Sequence, residues 1–162
     1  MNEAVRGESG LVARIEAFVG TLRIDLQLET GPGPLVVIGP NGAGKTSLLS
    51  VILGVSPVER GRIEVAGTPL VDTAAGIDVP LEHRRLGYVP QDYALFPHLT
   101  VRDNVAFALA STRKQTDRSQ RAQRVAAVLE DLGISALAER RTRSLSGGEK
   151  QRVALARALC VQ

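Results

Sequence analysis

Gly39-Pro40-Asn41-Gly42-Ala43-Gly44-Lys45-Thr46, residues 39–46, decides how this chain is read. It fits the pattern G-x-x-x-x-G-K-[S/T], which carries meaning only between a strand and a helix. Both neighbours are present. The run LVVI at 35–38 follows the breaker GPGP and reads as a strand buried on both faces. SLLSVIL at 47–53 reads as a helix stopped by Gly54. Small residues let successive backbone N–H groups curl around an anion, and the helix N-terminus adds partial positive charge. Lys45 supplies a point charge for outer phosphates, and the Thr46 hydroxyl is placed to ligate Mg²⁺. The bland alternative is a glycine-rich turn with an incidental lysine. At ordinary glycine frequencies that pattern arises by chance in fewer than about one chain in a hundred. Nucleotide binding is the expectation.

Composition sets the frame. With 162 residues, 44% hydrophobic and 23% charged, the chain reads as one globular domain with a real core. Three Phe, two Tyr and no Trp make that core aliphatic and argue against stacking platforms for single-stranded nucleic acid. A net charge of +3 demands no nucleic-acid partner. The single cysteine, Cys160, excludes an internal disulfide and fits a reducing compartment. No apolar run reaches the roughly 18 residues of a membrane span, and MNEAVRGESG lacks a signal core. These features give a cytoplasmic expectation.

LRIDLQLE at 22–29 alternates strictly, so it predicts a strand with one buried face, in a hairpin with LVARIEAFV at 11–19 across Gly20. GRIEVAG at 61–67 reads as an edge-type strand followed by a loop to residue 82, and RLGYVPQ at 85–91 as a short strand broken by Pro90. Thr100 with Asp103 caps a helix over TVRDNVAFALA. Across 118–132, Val125, Val128, Leu129 and Leu132 fall at helical spacing before Gly133, an amphipathic helix with Arg118, Arg121 and Arg124 on the opposite side. STRKQTDRSQR at 111–121 reads as a solvated loop.

Leu145-Ser146-Gly147-Gly148-Glu149 opens one more helix, with Ser146 and Glu149 forming a capping box. Two glycines inside a first turn weaken a helix by about 1 kcal/mol each relative to Ala. Close approach of an anion would justify them. Together with the phosphate loop, LSGGEKQR resembles the signature motif of the ATPase subunits of ABC transporters. Gln91 in GYVPQD resembles that family's Q-loop glutamine, and YALFPHLTVRDNVAFAL at 93–109 resembles the segment after it in bacterial importers. The likeness spans about residues 11–162, in the family's order.

The resemblance implies an α/β P-loop NTPase with a parallel core sheet, an N-terminal antiparallel β subdomain and a helical subdomain, incomplete at its C-terminus. Residues 11–91 and 146–162 would form core and β subdomain, and 92–145 the helical subdomain. It implies ATP and Mg²⁺ as cofactors. Gly39, Pro40, Asn41, Gly42, Ala43, Gly44, Lys45, Thr46 and Ser47 would cradle ATP. Lys45 and Gln91 would serve catalysis, Thr46 and Gln91 the metal. Ser146, Gly147, Gly148 and Glu149 would close over the nucleotide of a second subunit, head to tail, in a homodimer or with another ATPase subunit. Phe18 is a candidate for stacking on adenine, with a plain core or edge-strand role as the alternative. Residues 92–109 would face transmembrane permease subunits, served indirectly by an external substrate-binding protein. No nucleic-acid partner is implied. The subunit would sit on the inner face of the cell membrane.

The likeness has two departures. Pro90 stands where related importers often carry an aromatic residue. Family members also continue into an apolar strand ending in Asp-Glu, the Walker B region, and then to a switch histidine. These would lie past Gln162, so the 162-residue chain is expected to be inactive alone. His83 and His98 precede the signature and read as surface or partner-contact residues. Three alternatives stand beside this reading. ABC-type ATPases of DNA repair and chromosome organisation insert a long coiled coil between the two motifs, whereas roughly 100 residues separate Lys45 from Ser146 here. An unrelated kinase or GTPase leaves LSGGE and Gln91 unexplained. A non-catalytic fragment that only binds nucleotide is compatible with the main reading. GIDVPLEHRRLGYVPQDYALFPHLTV resembles importers of oxyanions, sugars and polyamines, molybdate importers above all.

Overall fold

The structure, a computed structural model, describes residues 10–110 and 117–160. The chain divides into two compact units between Arg84 and Arg85.

The first unit is built on a five-stranded antiparallel sheet, with 22–29 at one edge, then 11–19, 60–65 and 68–72, and 77–78 at the other edge. Strands β1 (Leu11–Val19) and β2 (Leu22–Glu29) form the expected hairpin, with Val19 opposite Leu22 across a two-residue turn. In β2 the leucines and Ile24 are half-buried and the polar residues exposed, as its period of two requires. The apolar face of β1 (Ala13, Ile15, Ala17) is buried with Val51 and Ile63.

Strand β3 (Arg60–Val65) pairs β1 on one side and β4 (Thr68–Asp72) on the other, so it is internal rather than an edge. The stretch predicted as loop holds β4, the short β5 (Ile77–Asp78) and a 3₁₀ turn over Leu81–His83. These strands were missed because each is short and Pro69 interrupts the first.

Helix α1 (Lys45–Leu53) ends as predicted, on Gly54 at φ 88°, whose N–H bonds back to the last turn. Its C-terminus is gripped by Arg84, which is 6% exposed. The guanidinium donates to the Ile52 carbonyl at 2.8 Å and the Val79 carbonyl at 2.7 Å. It also donates to Asp78 at 3.0 Å, but that carboxylate is largely in water. The carbonyls therefore hold it more than the ion pair does.

Two expected strands are absent. Residues 35–38 pair with no strand among those described, leaving Val36 77% and Ile38 87% exposed. A parallel strand exists only through its neighbours, and all five described strands belong to the antiparallel sheet. The parallel core sheet is thus not formed among the described residues. Residues 85–90 are also without strand pairing.

The second unit packs three helices around one core. Helix α2 (Val101–Ala110) starts at Thr100, whose hydroxyl accepts the Asp103 N–H at 3.1 Å and donates to its carboxylate at 2.7 Å. Its first N–H groups find carbonyls elsewhere: Val101 bonds Arg140 and Arg102 bonds Ala138, both at 2.9 Å. Helix α3 (Arg118–Asp131) buries Val125, Val128 and Leu129 as its spacing predicted. The loop expected at 111–121 and the helix expected over 118–132 overlap at 118–121, and the helix holds there. Residues 118–121 form the first turn of α3, while 111–116 lie outside the described residues.

Helix α4 (Gly147–Cys160) closes the core with Val153, Ala156 and Cys160. It packs on α2 and α3 in the second unit. Burial pushes the Cys160 thiol up from its ordinary range. Among the described residues no helix is long and apolar enough to cross a membrane.

Candidate nucleotide site

The phosphate loop bends on its glycines. Gly42 (φ 83°) and Gly44 (φ 87°) lie in the left-handed region that L side chains rarely adopt. Gly44 is also crowded, since a Cβ there would meet Leu22 Cδ2 at 2.7 Å. The left-handed Gly44 turns the chain into α1, so Lys45 is the first helical residue and Thr46 the second. Side-chain requirements and helix start thus coincide. The first-turn N–H groups of such a helix have no partner within it and are available to an anion.

Lys45 folds back over the loop. Its ammonium donates to the Gly39 carbonyl at 2.9 Å and the Pro40 carbonyl at 2.7 Å, which fixes the charge across the mouth. Ala43 N–H bonds the Pro40 carbonyl at 3.3 Å and tightens the curl. Thr46 is exposed and Ser47 half-exposed. Beside the loop an open cleft of about 240 Å³ runs along β2 residues 22–26 and under Val37, Ile38 and Leu48. Phe18 on β1 is 45% exposed, opposite Arg23.

The signature segment has the predicted capping box. Ser146 N–H and hydroxyl both donate to Glu149 Oε2, at 2.7 and 2.8 Å, and Glu149 N–H returns to the Ser146 hydroxyl at 3.4 Å. These bonds, the backbone N–H first, hold the Glu149 carboxyl below the usual carboxylate range. Gly147 and Gly148 differ from the loop glycines. Neither has a positive φ, and a Cβ on either would meet nothing within 4 Å.

Gln91 is exposed and belongs to the second unit, while residues 39–47 belong to the first. It follows Pro90, whose carbonyl accepts the Tyr93 N–H at 3.0 Å in a tight turn. Tyr93 (φ 63°) and Ala94 (φ 42°) are consecutive non-glycine residues in the left-handed region. Such positions cost on the order of 1–3 kcal/mol each and persist only where surroundings enforce them.

Those surroundings escaped the sequence reading. Arg157 of α4 donates to the Ala94 and Tyr93 carbonyls at 2.5 and 2.9 Å, and its guanidinium lies 5.9 Å from the centre of the Phe96 ring. Fully buried Asn104 accepts the Phe96 N–H at 2.8 Å and donates to the Phe96 and Thr100 carbonyls. Thr142 adds a bond to the Phe96 carbonyl at 3.0 Å. No local spacing could have revealed contacts that span 46 to 64 residues. His83 and His98 are both exposed.

Comparison with known proteins gives a consistent picture. The profile of the family described as ABC transporter matches residues 23–162. The molybdenum import ATP-binding protein ModC of Paramagnetospirillum magneticum is 47% identical over 140 residues, 86% of this chain and 38% of that protein. The molybdate/tungstate import ATP-binding protein WtpC of Archaeoglobus fulgidus is 42% identical over 152 residues, 94% of this chain and 59% of that protein. Among solved structures, cbiO1 from Clostridium perfringens, part of the ABC transporter complex cbiONQ, superposes with a TM-score of 0.75 at 26% identity. That match covers 95% of this chain and 62% of the other. The chain therefore spans between 38% and 59% of the length of these two import proteins. With a glycine-built phosphate loop and a capped LSGGE helix in that order, the chain belongs to the ABC transporter family.

Proposed function

We propose that this chain supplies the ATP-binding and ATP-hydrolysing part of an ABC importer for molybdate or a related oxyanion. The observation that carries the reading is the phosphate loop, with Lys45 held across its mouth at the start of α1. The substrate class rests on likeness to the ModC and WtpC proteins.

In this reading the backbone of residues 39–47 and the Lys45 ammonium grip the phosphates of ATP. Phe18, half in water, stacks on adenine. Thr46 and Gln91 would hold Mg²⁺, a hard ion for which a hydroxyl and an amide oxygen are suitable ligands. The metal supplies charge neutralisation, and the chain's own residues supply position. Residues 11–91 and 146–162 act as core and β subdomain, and 92–145 as the helical subdomain.

Gly147 and Gly148 support the trans role. They cost helix stability, and neither backbone angle nor packing asks for them. In the proposal Ser146, Gly147, Gly148 and Glu149 meet ATP on a second ATPase subunit, paired head to tail. Residues 92–109 face the permease, which places the subunit at the inner face of the membrane.

The test uses the intact subunit assembled with its permease in vesicles. Losing a charged phosphate contact costs about 1.5–3 kcal/mol, so Lys45→Ala should lower ATP affinity by roughly 10- to 100-fold and abolish molybdate uptake. A wild-type complex that binds ATP yet moves only an unrelated solute would sink the substrate reading. Equal nucleotide binding by wild type and Lys45→Ala would sink the whole reading.

A further inference from the structure

We infer that Arg157 is a positioning residue for Gln91: the guanidinium on α4 holds the turn that presents Gln91 in its strained form, linking it to the helix that begins at Ser146. The inference rests on the proposed roles of Gln91 and Ser146, and it adds a physical link between them.

The turn cannot hold itself. Tyr93 and Ala94 carry β-carbons in the left-handed region, where glycine would be the ordinary choice. Two successive residues in that conformation aim both carbonyls to one side. A planar guanidinium can donate to that pair as a fork, whereas an ammonium is a point charge with no fork geometry. Arg157 meets both carbonyls, at 2.5 and 2.9 Å. Its other face is occupied by Phe96, 5.9 Å from the ring centre. Phe96 is itself pinned through its backbone by Asn104 and Thr142.

The same helix meets the approach to the turn. A Cβ on Gly87 would lie 3.0 Å from the Ala158 carbonyl, so the segment leading to Gln91 rests directly on the turn of α4 that follows Arg157. A shift or rotation of α4 is thus transmitted to both sides of Gln91. Anything that engages the first turn of α4, at Ser146 and the glycines, is coupled to Gln91 through ten residues of one helix.

The experiment compares Arg157→Lys, Arg157→Met and the triple variant Arg157→Met/Tyr93→Gly/Ala94→Gly in the intact subunit. ATP affinity, turnover and thermal midpoint are read for each. We expect ATP affinity within about 2-fold of wild type for both single variants, because the loop grips the nucleotide. Turnover should fall at least 10-fold in both, lysine included. The triple variant should regain most of that turnover, since glycine adopts the left-handed turn without the clamp. Turnover retained by Arg157→Lys, or a loss that the two glycines leave unrepaired, would overturn the inference. A parallel loss of affinity and turnover that tracks the thermal midpoint would assign Arg157 a packing role and overturn it too. Absence of ATP binding in wild type would instead overturn the underlying function.

Discussion

Two glycine motifs stand in this chain for different reasons. Gly42 and Gly44 are required by the chain itself: their backbone angles are left-handed, and a β-carbon on Gly44 would also press on the tip of the Leu22 side chain. Gly147 and Gly148 have ordinary angles and open space around them. The first pair makes a loop. The second makes a helix start weaker than it need be, which is what the proposed contact with a nucleotide on a second subunit would call for.

The sharpest way to break the contrast is to add methyl groups. Gly44→Ala forces a β-carbon against Leu22 at a φ where it is strained, and should cost about 1–3 kcal/mol while weakening ATP binding. Denaturant unfolding together with nucleotide titration would read both effects. A Gly44→Ala protein as stable as wild type would remove the claim that the fold demands this glycine.

A smaller effect is expected at the cap. Ser146→Ala removes the hydroxyl that accepts the Glu149 N–H, and should cost about 1 kcal/mol. Stability unchanged by this substitution would mean that the α4 terminus contributes nothing to the second unit's core.

The smallest effect is set by pH. Because the Glu149 carboxyl is held below the usual range, its bond to Ser146 contributes at every pH above that range. It fades only as pH falls through the lowered value. Glu149→Gln should flatten the acid dependence of α4 helicity in circular dichroism. An identical acid profile for wild type and variant would rule out this carboxylate as the origin.

Local rules were readable in the sequence, and partner-dependent ones were not. The β1–β2 hairpin, the Gly54 stop, the Thr100 and Ser146 caps and the buried face of α3 each follow from residues within a few positions of one another. Residues 35–38 carry a strand's composition yet pair with nothing described, because a parallel strand needs neighbours that composition cannot supply. Strands β4 and β5 were hidden by their brevity and by Pro69. At the candidate site the phosphate loop and signature were visible as motifs. The fork from Arg157 to Tyr93 and Ala94, and the Arg84 grip on α1, depend on folded distance alone.

The most direct test of the central claim is to measure unfolding stability and ATP turnover of Gly148→Ala in the intact subunit. With open space at that position, alanine should leave stability unchanged or raise it by about 0.5 kcal/mol. Turnover should nonetheless fall at least tenfold, because a methyl group would intrude on the approaching nucleotide. A variant with full turnover, or one whose activity is lost only in step with its stability, would contradict the claim that this glycine serves something outside its own chain.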